Sequence, residues 1–85
     1  MSRYSMVTTL FFKPDNLLDP ATTAWGAFRQ LTDTDRYRWR GPVFDGHAPA
    51  PGWVAEIEGV RYEVLSAVRV IGKVWRLDLK ISERR

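Results

Sequence analysis

The stretch Trp53-Val54-Ala55-Glu56-Ile57-Glu58-Gly59-Val60-Arg61-Tyr62-Glu63-Val64-Leu65-Ser66-Ala67-Val68-Arg69-Val70-Ile71-Gly72-Lys73-Val74-Trp75-Arg76-Leu77-Asp78-Leu79-Lys80-Ile81 decides the fold. It carries two short turn signals, Glu58-Gly59 and Gly72-Lys73; glycine supplies the positive φ that two-residue hairpin turns need. The first turn sets Ile57 against Val60, Ala55 against Tyr62 and Trp53 against Val64. The second sets Val70 against Trp75 and Val68 against Leu77. Side chains alternate with a period of two along a strand, so all of these share one face with Leu79 and Ile81. The opposite face carries Glu56 across from Arg61, then Glu63, Arg69, Arg76, Asp78 and Lys80, with Arg69 facing Arg76. Two turns read independently give one apolar face. The last third of the chain is therefore expected to be a three-strand antiparallel meander.

Working outward, residues Tyr4 to Phe12 are rich in β-branched and aromatic types and predict a first strand, with Tyr4, Met6, Thr8, Leu10 and Phe12 on one side. Pro14-Asp15-Asn16 closes it with turn residues. Asp19-Pro20 has the form of a helix start, Asp as N-cap and Pro at the first helical position. Ala21, Ala24, Trp25, Phe28 and Leu31 follow at helical spacing and predict a helix from Pro20 to Thr32 that packs on the sheet. Gly26 costs such a helix about 1 kcal/mol relative to Ala, so either the helix is short or another backbone passes close to it. After a polar connection, Arg36-Tyr37-Arg38-Trp39-Arg40 alternates as a strand, aromatics to the core and three arginines outward. Gly41 to Gly52 holds Pro42, Gly46, Pro49 and Pro51 and reads as a long irregular loop. The expected fold class is α+β: a small antiparallel β-sheet or partly open β-barrel of about five strands, with one helix packed on it.

The 85 residues hold one domain. Four Trp, four Phe and three Tyr give that small core a large buried area per residue. With no cysteine, the chain has no disulfide, no zinc–thiolate site and no thiol nucleophile. No apolar run approaches the ~20 residues that cross a bilayer, and Met1-Ser2-Arg3-Tyr4 lacks the apolar core of a signal peptide. An intracellular, soluble protein is expected. The formal charge of +3 is ordinary for such a protein.

Nothing in the sequence has the spacing of a catalytic or cofactor site. His47, the sole histidine, follows Asp45 in the Pro-rich loop, and one His with one carboxylate falls short of the three or four ligands of a metal site. There is no glycine-rich phosphate loop and no paired catalytic carboxylates, so the reading is a non-enzyme without cofactors or a small-molecule substrate. The candidate partner-binding residues are Arg36, Arg38, Arg40, Val43, Phe44 and His47. Like charges at every second position of one strand repel, and an anionic partner offsets that repulsion; pairing with Asp33, Asp35 or a cross-strand Glu is the plainer alternative. Val43 and Phe44 are either core residues tucked under the barrel or apolar anchors offered to a partner.

The segment Gly59-Val60-Arg61-Tyr62-Glu63-Val64-Leu65-Ser66-Ala67-Val68, followed by a turn and Trp75-Arg76-Leu77-Asp78-Leu79-Lys80, resembles the closing hairpin of small phage head–tail joining (stopper or head-completion) proteins. The resemblance covers about a third of the chain, and its start departs from the family, lacking the tryptophan–alanine segment after the first strands. It implies a small β-barrel assembling as a homo-oligomeric ring at the portal–tail junction, found in the bacterial cytoplasm or the virion. It also implies a use for the Gly41–Gly52 loop in the DNA channel and for the arginines against DNA or a neighbouring subunit. The alternatives are a small basic β-barrel binding nucleic acid, of the OB or cold-shock kind, and a phage-encoded inhibitor of a host nucleic-acid-processing protein.

Overall fold

The computed structural model describes residues 5–31, 35–43 and 49–82. Six strands follow one another: β1 Ser5–Phe12, β2 Thr22–Gln30, β3 Arg36–Pro42, β4 Val54–Ile57, β5 Val60–Ile71 and β6 Val74–Ile81. Every pairing is antiparallel, and the strands close into a barrel in the order β1-β2-β3-β6-β5-β4. It is built as two three-strand meanders, β1–β3 and β4–β6. Their outer strands meet along two seams, β1 with β4 and β3 with β6.

The α+β expectation is overturned: the described residues contain no helix, and the sheet is a closed six-strand barrel. The segment expected as a helix is β2. Its cues were local and ambiguous, for Thr22, Thr23, Trp25 and Phe28 are poor helix formers and good strand formers. Asp19 caps nothing. It belongs to a turn in which Asn16 Oδ1 accepts from the backbone N–H groups of Leu18 and Asp19, both at 3.2 Å. Gly26 shows the decisive long-range cause. A Cβ there would lie 2.5 Å from Trp39 Cε2 and 2.8 Å from the Arg40 carbonyl oxygen, so the neighbouring backbone does pass close. With β2 read at period two, Ala24, Gly26 and Phe28 face inward and Trp25 faces out, 60% exposed, rather than packing in the core.

The first hairpin of the quoted stretch forms as its turn requires. Ile57 pairs with Val60 and Ala55 with Tyr62, and Val64 donates its N–H to the Trp53 carbonyl at 2.8 Å. Glu58 and Gly59 take φ of 52° and 82°. The second turn also lies at Gly72-Lys73, with Ile71 against Val74, but the pairs beyond it are displaced. Arg69 faces Trp75, Ala67 faces Leu77, and Val68 rather than Arg69 faces Arg76. Two β-bulges, between Val64 and Ser66 and between Arg69 and Ile71, insert extra residues into β5. Bulges add the bend and twist that barrel closure needs. Their effect here is to turn Val68, Val70 and Ile71 outward, exposed by 46%, 43% and 71%.

The core lies inside the barrel and comprises Val7, Phe11, Ala24, Trp39, Val43, Ala55, Ile57, Tyr62, Val64, Leu77 and Leu79. Trp39 is fully buried and meets Phe11 edge-on, centroids 5.2 Å apart. Phe28, Tyr37 and Tyr62 form a second aromatic group at 5.0–5.5 Å. On β1 the inward residues are Val7, Thr9 and Phe11. Phe12, on the outer side, is buried beneath the Arg61 guanidinium, 4.8 Å from the ring centre.

Candidate functional site

The alternation of β3 puts Arg36, Arg38 and Arg40 on the outside of the barrel, and the register extends that row across the adjacent strands. Arg38 pairs with Arg29 on β2 and with Asp78 on β6. Arg40 pairs with Ala27 and Arg76, and Arg36 with Lys80. The outer surface of β2, β3 and β6 is thus a patch of Arg29, Arg36, Arg38, Arg40, Arg76 and Lys80 with one carboxylate, Asp78, set among them. Sequence alone assigns only the β3 members, because cross-strand neighbours follow from a topology in which β3 pairs with a strand some forty residues on.

The three β3 arginines differ in what they touch. Arg38 donates from Nε to Asp78 Oδ1 at 3.1 Å, and Asp78 Oδ2 accepts from Ser66 Oγ at 3.0 Å. That half-buried network ties three strands together. Arg36 lies 3.7 Å from Asp35, both side chains well exposed, an arrangement that contributes about 0–1 kcal/mol. Arg40 and Arg76 are both exposed and directly opposed, and neither has an ion-pair partner among the described residues. Like charges facing across a ladder destabilise it. The Arg40–Arg76 corner is therefore a part of the patch where two cations face each other with no ion-pair partner among the described residues.

Beside that corner a shallow groove opens to solvent, about 400 Å³ in volume, lined by Met6, Trp25, Gly26, Arg40, Pro42 and Val74. Met6 and Trp25 are 52% and 60% exposed. Gly26 and Gly41 lie beneath it with their backbones in close contact, since a Cβ at Gly41 would lie 2.8 Å from the Gly26 Cα. A second depression, of about 570 Å³, lies over Pro14, Leu17, Val54, Arg61 and Glu63. There Arg61 is held by Glu56 at 3.1 Å and by the Leu17 carbonyl at 3.0 Å. Among the described residues no three His, Cys, Asp or Glu side chains are grouped as metal ligands. No helix among them is long and apolar enough to cross a membrane.

Of the other candidates, Val43 is a core residue, 4% exposed, whose N–H donates to the Lys73 carbonyl at 2.8 Å. Phe44 and His47 lie outside the described residues. Of the expected Gly41–Gly52 loop, Gly41 and Pro42 complete β3, and Pro49 is fully buried. The residues that the sequence reading missed are Trp25 and Met6, together with Arg29 and Arg76. Reading residues 22–30 at period two would have found Trp25 and Arg29 on one side. Comparison with family models, with curated proteins and with solved structures finds no match to this chain.

Proposed function

We propose that this barrel is a non-enzymatic assembly protein that works through protein–protein contacts, in the manner implied by its resemblance to phage head–tail joining proteins. The observation that carries this reading is Trp25, 60% exposed beside Met6 in a groove edged by Arg40. Trp, Met and Arg are the residue types enriched where proteins bind one another, and a single exposed Trp is a common anchor of binding energy. A small domain gains no internal stability from such a side chain, whereas a neighbouring subunit buries it. Sedimentation velocity tests the proposal: the wild-type barrel should form a ring or other homo-oligomer, and Trp25→Ala should dissociate it while melting within about 0.5 kcal/mol of the parent. Dissociation without loss of fold supports the proposal, and unchanged association refutes it.

The cationic patch favours a second reading, direct contact with nucleic acid. Arg36, Arg38, Arg40 and Arg76 lie on adjacent strands, as a backbone-tracking surface requires, and Trp25 offers a stacking face beside them. This reading requires affinity for a single-stranded oligonucleotide that falls steeply with salt, with a shallower slope after Arg40→Gln and Arg76→Gln.

A further inference from the structure

The barrel is closed around its circumference, yet one strand outruns its neighbour. β4 covers only residues 54–57 and pairs with β5 from Val60 to Glu63. Gly52 and Trp53 extend that cover by one step, through their hydrogen bonds with Val64. Beyond Val64, β5 continues to Ile71 paired with β6 alone. No backbone hydrogen bond to the described residues covers its other edge from Ser66 to Ile71. An open edge of this kind presents unpaired N–H and C=O groups and is a template for an added strand. Apolar side chains accompany the bare edge, since Val68, Val70 and Ile71 are 46%, 43% and 71% exposed.

We propose that the Ser66–Ile71 edge of β5 takes up an extended acidic segment of a partner protein as an additional strand. The charge distribution selects the occupant. From Val64 to Leu77 the chain holds Arg69, Lys73 and Arg76 and no carboxylate, and Asp78, opposite Ser66, is already engaged by Arg38 and Ser66. A second copy pairing through the same edge would bring Arg69 and its neighbouring cations against their own kind, which disfavours self-association. A strand alternating carboxylates with apolar residues meets both the cations and the exposed valines. The bulges at either end of Ser66–Arg69 interrupt the ladder and confine regular pairing to a short register, so the partner contributes a short segment rather than a whole sheet. This site rests on the protein-contact reading above only for the class of its partner, and it lies apart from Met6 and Trp25, approaching their groove only at Val74, which pairs with Ile71.

The test is an NMR titration of isotope-labelled protein with a short peptide of alternating Val and Glu. Amide shifts should be confined to residues 65–71 and their β6 partners. A backbone N-methylated version of the peptide should not bind, because the added strand needs its N–H groups. Arg69→Glu, an exposed substitution that leaves the core intact, should weaken the acidic peptide about tenfold and admit a Val–Lys peptide instead. The proposal is overturned if the N-methylated peptide binds equally well, if shifts fall on Met6, Trp25 and Arg40 of the groove, or if oligo-dT binds the same edge as tightly. It is also overturned if the same shifts appear on raising the protein's own concentration, which would make a second copy the occupant. Failure here leaves the Trp25→Ala result standing, and failure there leaves this one.

Discussion

Replacing Gly26 by alanine tests the fold through the sign of its effect. Gly26 lies inside β2, and its φ is outside the left-handed region, so the backbone itself accepts alanine. The obstacle is space: the new Cβ would sit 2.5 Å from Trp39 Cε2 and 2.8 Å from the Arg40 carbonyl oxygen. Neither neighbour yields easily, for Trp39 is fully buried against Phe11 and the Arg40 carbonyl is part of the β3 backbone. Overpacking of this kind costs about 1–3 kcal/mol. Removing glycine's freedom from the unfolded chain returns about 0.4–1 kcal/mol. The net loss is about 0–2.6 kcal/mol, roughly 1.3 kcal/mol at the midpoints, which lowers the melting temperature of a domain this size by roughly 4–8 °C per kcal/mol. In a helix from Pro20 to Thr32 the same change would stabilise by about 1 kcal/mol. Urea melts followed by tryptophan fluorescence and far-UV circular dichroism read the difference as a shift in midpoint at constant slope. Adding Trp39→Phe should cost less in the Gly26→Ala background than alone, because the two changes share one space. A Gly26→Ala variant stabilised by about 1 kcal/mol would refute the packing of β2 on Trp39.

Two further outcomes follow from the core. Thr9 is fully buried and its Oγ1 has no hydrogen-bond partner; Thr9→Val keeps the shape and should stabilise by about 1–2 kcal/mol, while a destabilised variant in the same urea assay would mean the hydroxyl is bonded, for instance to an internal water. Burial, and after it Tyr37 and Glu58, raise the Tyr62 hydroxyl pKa above its ordinary 10.0. The native state therefore holds this proton longer than the unfolded state, so its contribution is complete below pH 10 and is lost as pH rises through the native-state pKa. Urea midpoints measured across alkaline pH should fall less steeply for Tyr62→Phe, and coincident profiles would assign the alkaline loss to another group.

The first hairpin was legible because everything that sets it is local: Gly59 supplies the turn, and Ala55, Ile57, Tyr62 and Val64 alternate without interruption. The same held for β3, where Tyr37 and Trp39 alternate with three arginines. The register of the second hairpin was not legible. A bulge adds a residue without any composition of its own, and Val68 and Val70 look like core residues until the bulges turn them out. β2 failed for a different reason. Its alanines, Trp25 and Phe28 fit a helical stripe as well as an alternating one, and what decided between them was Trp39 filling the space above Gly26, a contact with another strand. Missing β2 removed Arg29 and Trp25 from the candidate surface. The β3 arginines could be named from the sequence, but the asymmetry between Arg38, neutralised by Asp78, and Arg40, opposed by Arg76, comes only from the β3–β6 seam.

The strand registers also give the barrel a polarity. Ser5, where β1 begins, lies opposite Phe28 near the end of β2, and Ile81, where β6 ends, lies opposite Tyr62 close to the Glu58-Gly59 turn. Lys80 sits against Arg36 at the start of β3, so all of these belong to one rim. Pro42, Val74 and the Gly72-Lys73 turn belong to the other, together with the uncovered length of β5. The described ends of β1 and β6 thus enter at one rim, and the Gly72-Lys73 turn lies at the other. A tag, a dye or a surface linkage joined ahead of Ser5 or after Ile81 enters at the rim opposite the Ile71 end of the β5 edge. Immobilised through either of those strand ends, the protein presents the same rim to the solution.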